Sequence, residues 1–435
     1  MKPGLIFSNV RASMAALFSS LTSLTVVAVF VYAYALAFPS AARGQVLYTF
    51  NGTPDGAHPY AGVVADSLGN LYGTTFQGGT AQQGSVYKLT PTGTGTYTET
   101  VLYSFQGGTD GSNPEDSLAL DAGGNLYGTT FFGGTGFGGG TVFELSPSTG
   151  GSWTEKILYS FQGGTDGLTP ESNVIFDAAG NLYGTTVMGG GLGNSNGDGT
   201  VYELSPNSSG VWTETIIHAF SGGTEGANPY RGLVLDSAGN LYGVLETGGT
   251  GCNSVGCGIV FEFSPGTGGV WTETVLHKFR GGLDGSVPNS NLTIDSAGNL
   301  YGTTLTGGGS AACSQGCGTA FQLVHGSGGT WTEHVMHRFA GGTLDGSSPS
   351  TGALALDSTG TLYGSTIAGG ANGSGIFFEL TPGSSGGWGE TVKSLPAGKT
   401  ILAPTGLILG PGGNLFSTLI NGGPKENGSV VEVAK

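Results

Sequence analysis

Three carboxylates stand where an otherwise regular sequence puts other residue types. Glu115 and Asp116 follow Pro114, and Glu171 follows Pro170. After the other loop prolines the chain has Tyr60, Tyr230, Asn289, Ser350 and Thr405, with Arg231 next to Tyr230. Two carboxylic acids at a suitable separation can divide the proton-donor and base or nucleophile roles of glycoside hydrolysis. Spacing along the chain does not give that separation. Aromatic rings mixed with carboxylates, an amide and a guanidinium also suit a small polar ligand such as a sugar. The rings cover its apolar face and the polar groups bond its hydroxyls. That second chemistry needs no catalytic set, and no Ser/His/Asp or Cys/His constellation can be argued from the sequence. The expectation is a non-catalytic module that binds glycan or protein. The alternative is an extracytoplasmic enzyme acting on a carbohydrate or lactone through these carboxylates.

Other groups offer weaker chemistry. The stretch GNSNGDGT sets Asn194, Asn196 and Asp198 at alternate positions before Gly199, like the start of a calcium loop. It has one carboxylate and lacks the downstream bidentate Glu of such loops, so calcium is the one cofactor it suggests and no cofactor is expected. Four cysteines lie in two short stretches, GCNSVGCG and ACSQGCG. An even count in an exported chain favours local disulfides, Cys252 with Cys257 and Cys313 with Cys317; a four-thiolate zinc site across the two stretches is the rival. His218, His277 and His337 share one repeat position with Tyr48, Tyr103 and Tyr159, and read as packing or surface residues. One acid series, Asp66, Asp121, Asp177, Asp236, Asp295 and Asp357, reads as turn acceptors. A second, Asp55, Asp110, Asp166, Glu225, Asp284 and Asp345, precedes Gly and then Pro, and reads as loop caps or as an acidic crown that attracts cations.

All these residues are set into a repeat. Asp121–Thr130 reads DAGGNLYGTT, and near copies place Leu71, Leu126, Leu182, Leu241, Leu300, Leu362 and Leu415 at one position, 53 to 62 residues apart. Self-similarity at such a period marks a repeat architecture. Within the second unit, SLALD (117–121), NLYGTTF (125–131), TVFELS (141–146) and WTEKILYSF (153–161) read as four strands, each bounded by Gly, Pro, Asn or Asp. The 87 glycines and 18 prolines fall between these runs, so they punctuate turns rather than dilute a core. Four short antiparallel strands per unit, seven times over, predict an all-β, seven-bladed propeller. The last unit supplies three strands, and VLYTF (46–50) supplies the fourth, closing the ring and removing an exposed edge. Direction alternates along each meander. The loops with Asp-Gly and the Gly-rich loops after the second strand therefore share one end, the top, where Tyr60, Glu115, Glu171, Tyr230 and Asn289 should face the mouth of the central channel.

The elements DxxGNLYG, VFELSP and WTExxLxxF resemble the Gloeo/Verruco ("GloVer") tandem repeat of exported bacterial proteins across essentially all of residues 45–435. More loosely, D-x-x-G-N-L-Y is similar to the strand–turn–strand signature of NHL-type and gluconolactonase-like propellers. The resemblance implies export and a propeller, and implies no activity. Many GloVer proteins end in a sorting anchor; the VVEVAK end departs from that. Lys2 and Arg11 precede an apolar run over 24–38 and small residues, the layout of a secretory signal over residues 1–42, cut after Ala37 or Ala42; an uncleaved anchor is the rival. Residues 43–435 are expected to form a single propeller, secreted, periplasmic or at the cell surface, monomeric and free of the membrane once cut. The net charge of −16, with no basic stripe, excludes nucleic acid as an expected partner.

Overall fold

The computed structural model describes residues 44–93, 95–193, 196–252, 254–384, 386–393, 404–433 and 435. The leader expected over 1–42 lies outside the described residues. Among those described, no helix is long and apolar enough to cross a membrane.

Each unit starts from a clamp on one carboxylate. In blade four, Asp236 Oδ1 accepts the backbone N–H groups of Ala238 and Asn240 at 2.8 and 2.9 Å. Its Oδ2 accepts Asn240 Nδ2 at 2.8 Å and the Tyr242 hydroxyl at 3.0 Å. The motif is thereby explained residue by residue: Asp accepts, Asn and Tyr donate, and Gly closes the turn. Asp177 and Asp295 repeat all four bonds. Burial alone would raise these carboxyls, but the donated bonds outweigh it and hold Asp66, Asp177, Asp236 and Asp295 below the ordinary value. The turn folds the second strand back onto the first in register, Val234 opposite Tyr242 and Leu235 opposite Leu241.

Seven four-stranded antiparallel blades follow from this unit. Blade two runs Ala119–Leu120, Leu126–Thr130, Thr141–Pro147 and Trp153–Ser160. The innermost strand is two residues long where the sequence suggests five. The segment before it faces the channel, and its N–H groups find side-chain acceptors there: Asp116 Oδ1 takes Ser117 N at 2.6 Å and Asp116 Oδ2 takes Asn173 N at 3.1 Å. In blade seven, Ile408–Leu409, Leu415–Leu419 and Ser429–Val433 are completed by Gln45–Thr49, which pairs Val46 with Val431 and Thr49 with Ser429.

Apolar clusters straddle the blade junctions. Tyr72, Val86 and Phe105 of blade one pack with Leu118, Leu126, Phe143 and Leu145 of blade two. Leu47, Phe50, Phe416 and Val430 of blade seven pack in the same way with Val63, Leu71, Tyr87 and Leu89 of blade one, so packing as well as pairing closes the ring. The clamp tyrosine joins this interface: Tyr242 lies edge-on to Trp331 of the next blade at 6.0 Å, and Tyr183 to Trp271 likewise.

The second acid series turns onto its own loops rather than forming a crown. Asp55 Oδ2 accepts Asn51 N at 2.9 Å and the Tyr48 hydroxyl at 2.8 Å; Asp166 accepts Gln162 N at 2.7 Å and the Tyr159 hydroxyl at 3.2 Å. A glutamate from the next blade comes up behind each of these acids. Burial first and the neighbouring aspartate second push Glu99, Glu155 and Glu214 up to about 7.

This packing can be tested at the seam and by pH. Phe50 is 1% exposed against Tyr87 and forms part of the closing junction. Phe50→Ala should cost ~3–5 kcal/mol in urea denaturation; an unchanged midpoint would show that residues 45–50 do not close the ring. The pH dependence has two opposed parts. The raised glutamates bind more protons folded than unfolded, so their contribution is full below the ordinary glutamate value of 4.5 and is lost as pH rises through about 7. The lowered aspartates contribute above their unfolded value and lose that contribution as pH falls through their folded one. Thermal stability should therefore peak at about pH 4–6 and decline toward pH 8; a peak above pH 8 would contradict the buried acid pairs.

Candidate functional site

The backbone that carries the mouth residues is fixed before any side chain reaches the channel. The residue ahead of each of six loop prolines is left-handed, with φ of 57° at Asn113, 55° at Thr169 and 57° at Asn228. Non-glycine residues visit that region rarely, so the kink is held by its surroundings. The proline itself wedges against the preceding blade at a glycine: a Cβ on Gly140 would sit 2.5 Å from Pro170 Cδ. Buried second-strand hydroxyls then hold the next residues across the junction. Thr129 Oγ1 donates to Ser172 O at 2.9 Å, Thr185 Oγ1 to Pro229 O at 3.0 Å and to Arg231 O at 3.1 Å, and Thr418 Oγ1 to Ala61 O at 2.6 Å. Residues 60, 115, 171, 230 and 231 are delivered by this frame.

The structure brings the expected mouth residues together around Arg231. Its Nε donates to Asn289 Oδ1 at 2.5 Å. Its charge acts on Glu115, Asp116 and Glu171, and on a fourth acid, Glu246. Burial first, and then repulsion from Glu115, push Glu171 up to about 7. Burial raises Glu115, and Arg231 offsets part of the rise. Asp116 is also raised by burial, against the hydrogen bonds from Ser117 N and Asn173 N and the pull of Arg231. Burial raises Glu246 in the same sense, again opposed by Arg231. The Tyr230 phenol is raised by burial and by Glu171, and that of Tyr60 by burial and by Glu115, which ties both rings to the same cluster. Tyr60 is 37% exposed and lies edge-on to Phe76 at 5.0 Å.

A central cavity of about 470 Å³ is lined by Tyr60, Glu115, Asp116 and Arg231 of this cluster, and by Ser350 and Thr405 of the same ring, while Glu171, Tyr230, Asn289 and Glu246 are not among its lining residues. Four carboxyls thus surround one guanidinium. Ser350 and Thr405, expected in the same ring, are buried and bond within the wall, to Ser365 Oγ and Thr418 Oγ1 at 2.5 Å each. The proline register does not pick out Glu246, although the sequence carries its signal. The residue that ends the second-strand run is Phe76, Phe131, Val187, Leu305, Ile367 or Ile420 elsewhere, and only blade four puts an acid there. A second hollow of about 590 Å³ lies at Val63–Ser67, Ser117 and Ile408–Pro411; its one charged side chain, Asp66, is engaged by its own turn.

The remaining candidates separate. Asn194 lies outside the described residues. Asp198 is buried with its carboxylate against Gly193 and Gly222, while Asn196 is exposed. The cysteines form two local disulfides, Cys252–Cys257 and Cys313–Cys317, with Cα–Cα separations of 5.4 and 5.2 Å, which removes the four-thiolate alternative.

An all-β ring of seven four-stranded antiparallel blades defines a β-propeller. The chain belongs to the Gloeobacter/Verrucomicrobia repeat family, whose description matches residues 28–255 and 155–315 in overlapping registers. No curated protein matches it.

Because Arg231 lowers Glu171, its removal should raise that carboxyl further. Arg231→Gln is expected to move the Glu171 titration midpoint, followed by carboxyl carbon chemical shift, upward from about 7. A midpoint that stays put would show that the two groups do not share the mouth.

Proposed function

We propose that this propeller is an exported, non-catalytic binding module whose top mouth takes the end of a neutral or cationic glycan. One observation carries the reading. The residues that break the repeat, Tyr60, Glu115, Asp116, Glu171, Tyr230, Arg231, Glu246 and Asn289, act electrostatically on one another or are hydrogen-bonded, and Tyr60, Glu115, Asp116 and Arg231 among them line one cavity. Seven identical walls would give a ligand no unique orientation, whereas an irregular ring on a rigid frame does. Tyr60 and Tyr230 provide stacking faces; the carboxyls, Arg231 and Asn289 provide donors and acceptors for hydroxyls. The surplus of carboxyls disfavours sulfated or carboxylated sugars. The two disulfides support an oxidising compartment, in keeping with the leader read at residues 1–42.

A second reading has its own observation. Glu171, at about 7, stands beside Glu115 and can hold a proton near neutrality, as a general acid must. On that reading the mouth hydrolyses a glycoside or lactone, and Glu171→Gln abolishes turnover while leaving sugar binding in place.

A glycan array probed with the folded chain tests the first reading. Bound glycans should be neutral or amino sugars. Tyr60→Ala and Tyr230→Ala should each weaken binding roughly tenfold, about 1.4 kcal/mol, with little change in melting temperature. Binding indifferent to both tyrosines and to Glu115 and Glu171 would remove the mouth as the site.

A further inference from the structure

Three consecutive blade junctions replace the tyrosine of the outer acid pair with histidine, and two of them gather three metal-ligating atoms. At the junction of blades five and six, His337 Nε2 lies 3.3 Å from Asp345 Oδ2 and 3.4 Å from Glu390 Oε1. At the junction of blades three and four, His218 Nε2 lies 2.9 Å from Glu225 Oε1 and 4.0 Å from Glu273 Oε2. In each group the three ligand atoms lie within 4.8 Å of one another. We propose that the first of these junctions binds a divalent transition-metal ion, Zn²⁺ by preference, through His337, Asp345 and Glu390; at the second, the 2.9 Å from His218 Nε2 to Glu225 Oε1 is that of an ordinary hydrogen bond.

The distances carry the argument. A charge-assisted N–H···O bond runs to about 2.7–2.9 Å, and His337 Nε2 sits well beyond that from both oxygens, nearly equidistant between them. Zinc bonds of about 2.0–2.2 Å to nitrogen and oxygen put tetrahedral ligands about 3.3–3.5 Å apart, the separation seen. At the tyrosine junctions the hydroxyl bonds the acid at 2.8 Å from Tyr48 to Asp55 and 3.2 Å from Tyr159 to Asp166, and it brings no metal-ligating nitrogen. Glu390 Oε1 is buried with no hydrogen-bond partner, as are the matching oxygens of Glu99, Glu155 and Glu214 at the tyrosine junctions, so what sets this junction apart is the imidazole nitrogen 3.4 Å from that oxygen. Paired carboxylates with an unengaged oxygen are relieved by a dication as well as by a proton.

The surroundings hold the ligands in place. Asp345 is fixed by Ala340 N at 2.6 Å and Gly346 N at 2.5 Å, and the His337 ring stands edge-on to Phe339 at 4.7 Å. The Cys313–Cys317 disulfide packs under the same loop, where a Cβ on Gly341 would lie 2.8 Å from Cys317 Sγ. Side-chain exposures of 20%, 12% and 16% for His337, Asp345 and Glu390 leave room for a water as fourth ligand. Calcium, which takes six to eight oxygens at about 2.3–2.6 Å, suits the set poorly, and imidazole favours zinc. The middle junction is incomplete: His277 Nε2 is 3.5 Å from Asp284 Oδ1, and Glu333 does not join them as a third ligand.

The intact chain, stripped with EDTA, is titrated with Zn²⁺ by calorimetry and its bound metal counted by mass spectrometry after gel filtration. His337→Tyr installs the residue that the tyrosine junctions already accommodate, so the fold should survive. It should lose the bound equivalent of zinc, whereas His218→Tyr should keep it. Zinc should raise the melting temperature of the unaltered chain more than that of His337→Tyr, and millimolar Ca²⁺ should not displace it. Glu390→Gln serves as a second variant and should lose the same equivalent as His337→Tyr. An unaltered chain that retains no zinc, or a His337→Tyr variant that binds as much as the unaltered chain, overturns the proposal.

Discussion

Everything in this molecule depends on Gln45–Thr49 pairing with Ser429–Val433. Those two segments lie at opposite ends of the described chain, and their pairing converts a row of blades into a ring. Without it, Ser429–Val433 would present an unpaired strand edge, and Val63, Leu71, Tyr87 and Leu89 would lose their cover from Leu47 and Phe50. The same closure carries a hydroxyl bond from Thr418 to Ala61, beside Tyr60. The placement of Tyr60, one wall of the mouth, therefore rests on the seam being shut.

Around the ring the repeat residues are occupied with joints. The clamp aspartate engages its turn, the clamp tyrosine reaches the next blade's tryptophan, the loop proline wedges on a glycine, and the second-strand threonine ties down the next blade's innermost segment. These contacts leave the position just after the loop proline free to vary in several blades, from Tyr60 to Glu115 to Asn289. Ser350 and Thr405 instead bond into the wall there, so function can collect only where the wall does not take that residue up.

Much of the fold is legible in the sequence because it is written several times over. An aspartate four residues ahead of an asparagine, repeated at one position, leaves little besides a turn acceptor, and the Asp236 clamp is one. The disulfides are legible because each pair spans a few residues of one loop. The mouth residues are legible as departures from a period. What escapes the sequence is contact between units. His218 and His337 look like packing residues along the chain, and only the approach of Glu273 and Glu390 from the next blade shows their pairing with acids. Glu246 escapes for a smaller reason: it lies at the end of the second strand, outside the proline register that picks out its neighbours. The innermost strands shorten because their channel-facing N–H groups bond side chains such as Asp116, a choice made across the channel.

The central claim is that residues breaking the repeat form one site at the top mouth. Amide hydrogen exchange followed by mass spectrometry, with and without a bound neutral oligosaccharide, tests it most directly. The account predicts slowed exchange in peptides spanning residues 58–63, 113–118, 169–174 and 228–233, with the bottom turns around Asp121 and Asp236 unchanged. Protection confined to those bottom turns, or to the outer strands, would contradict it.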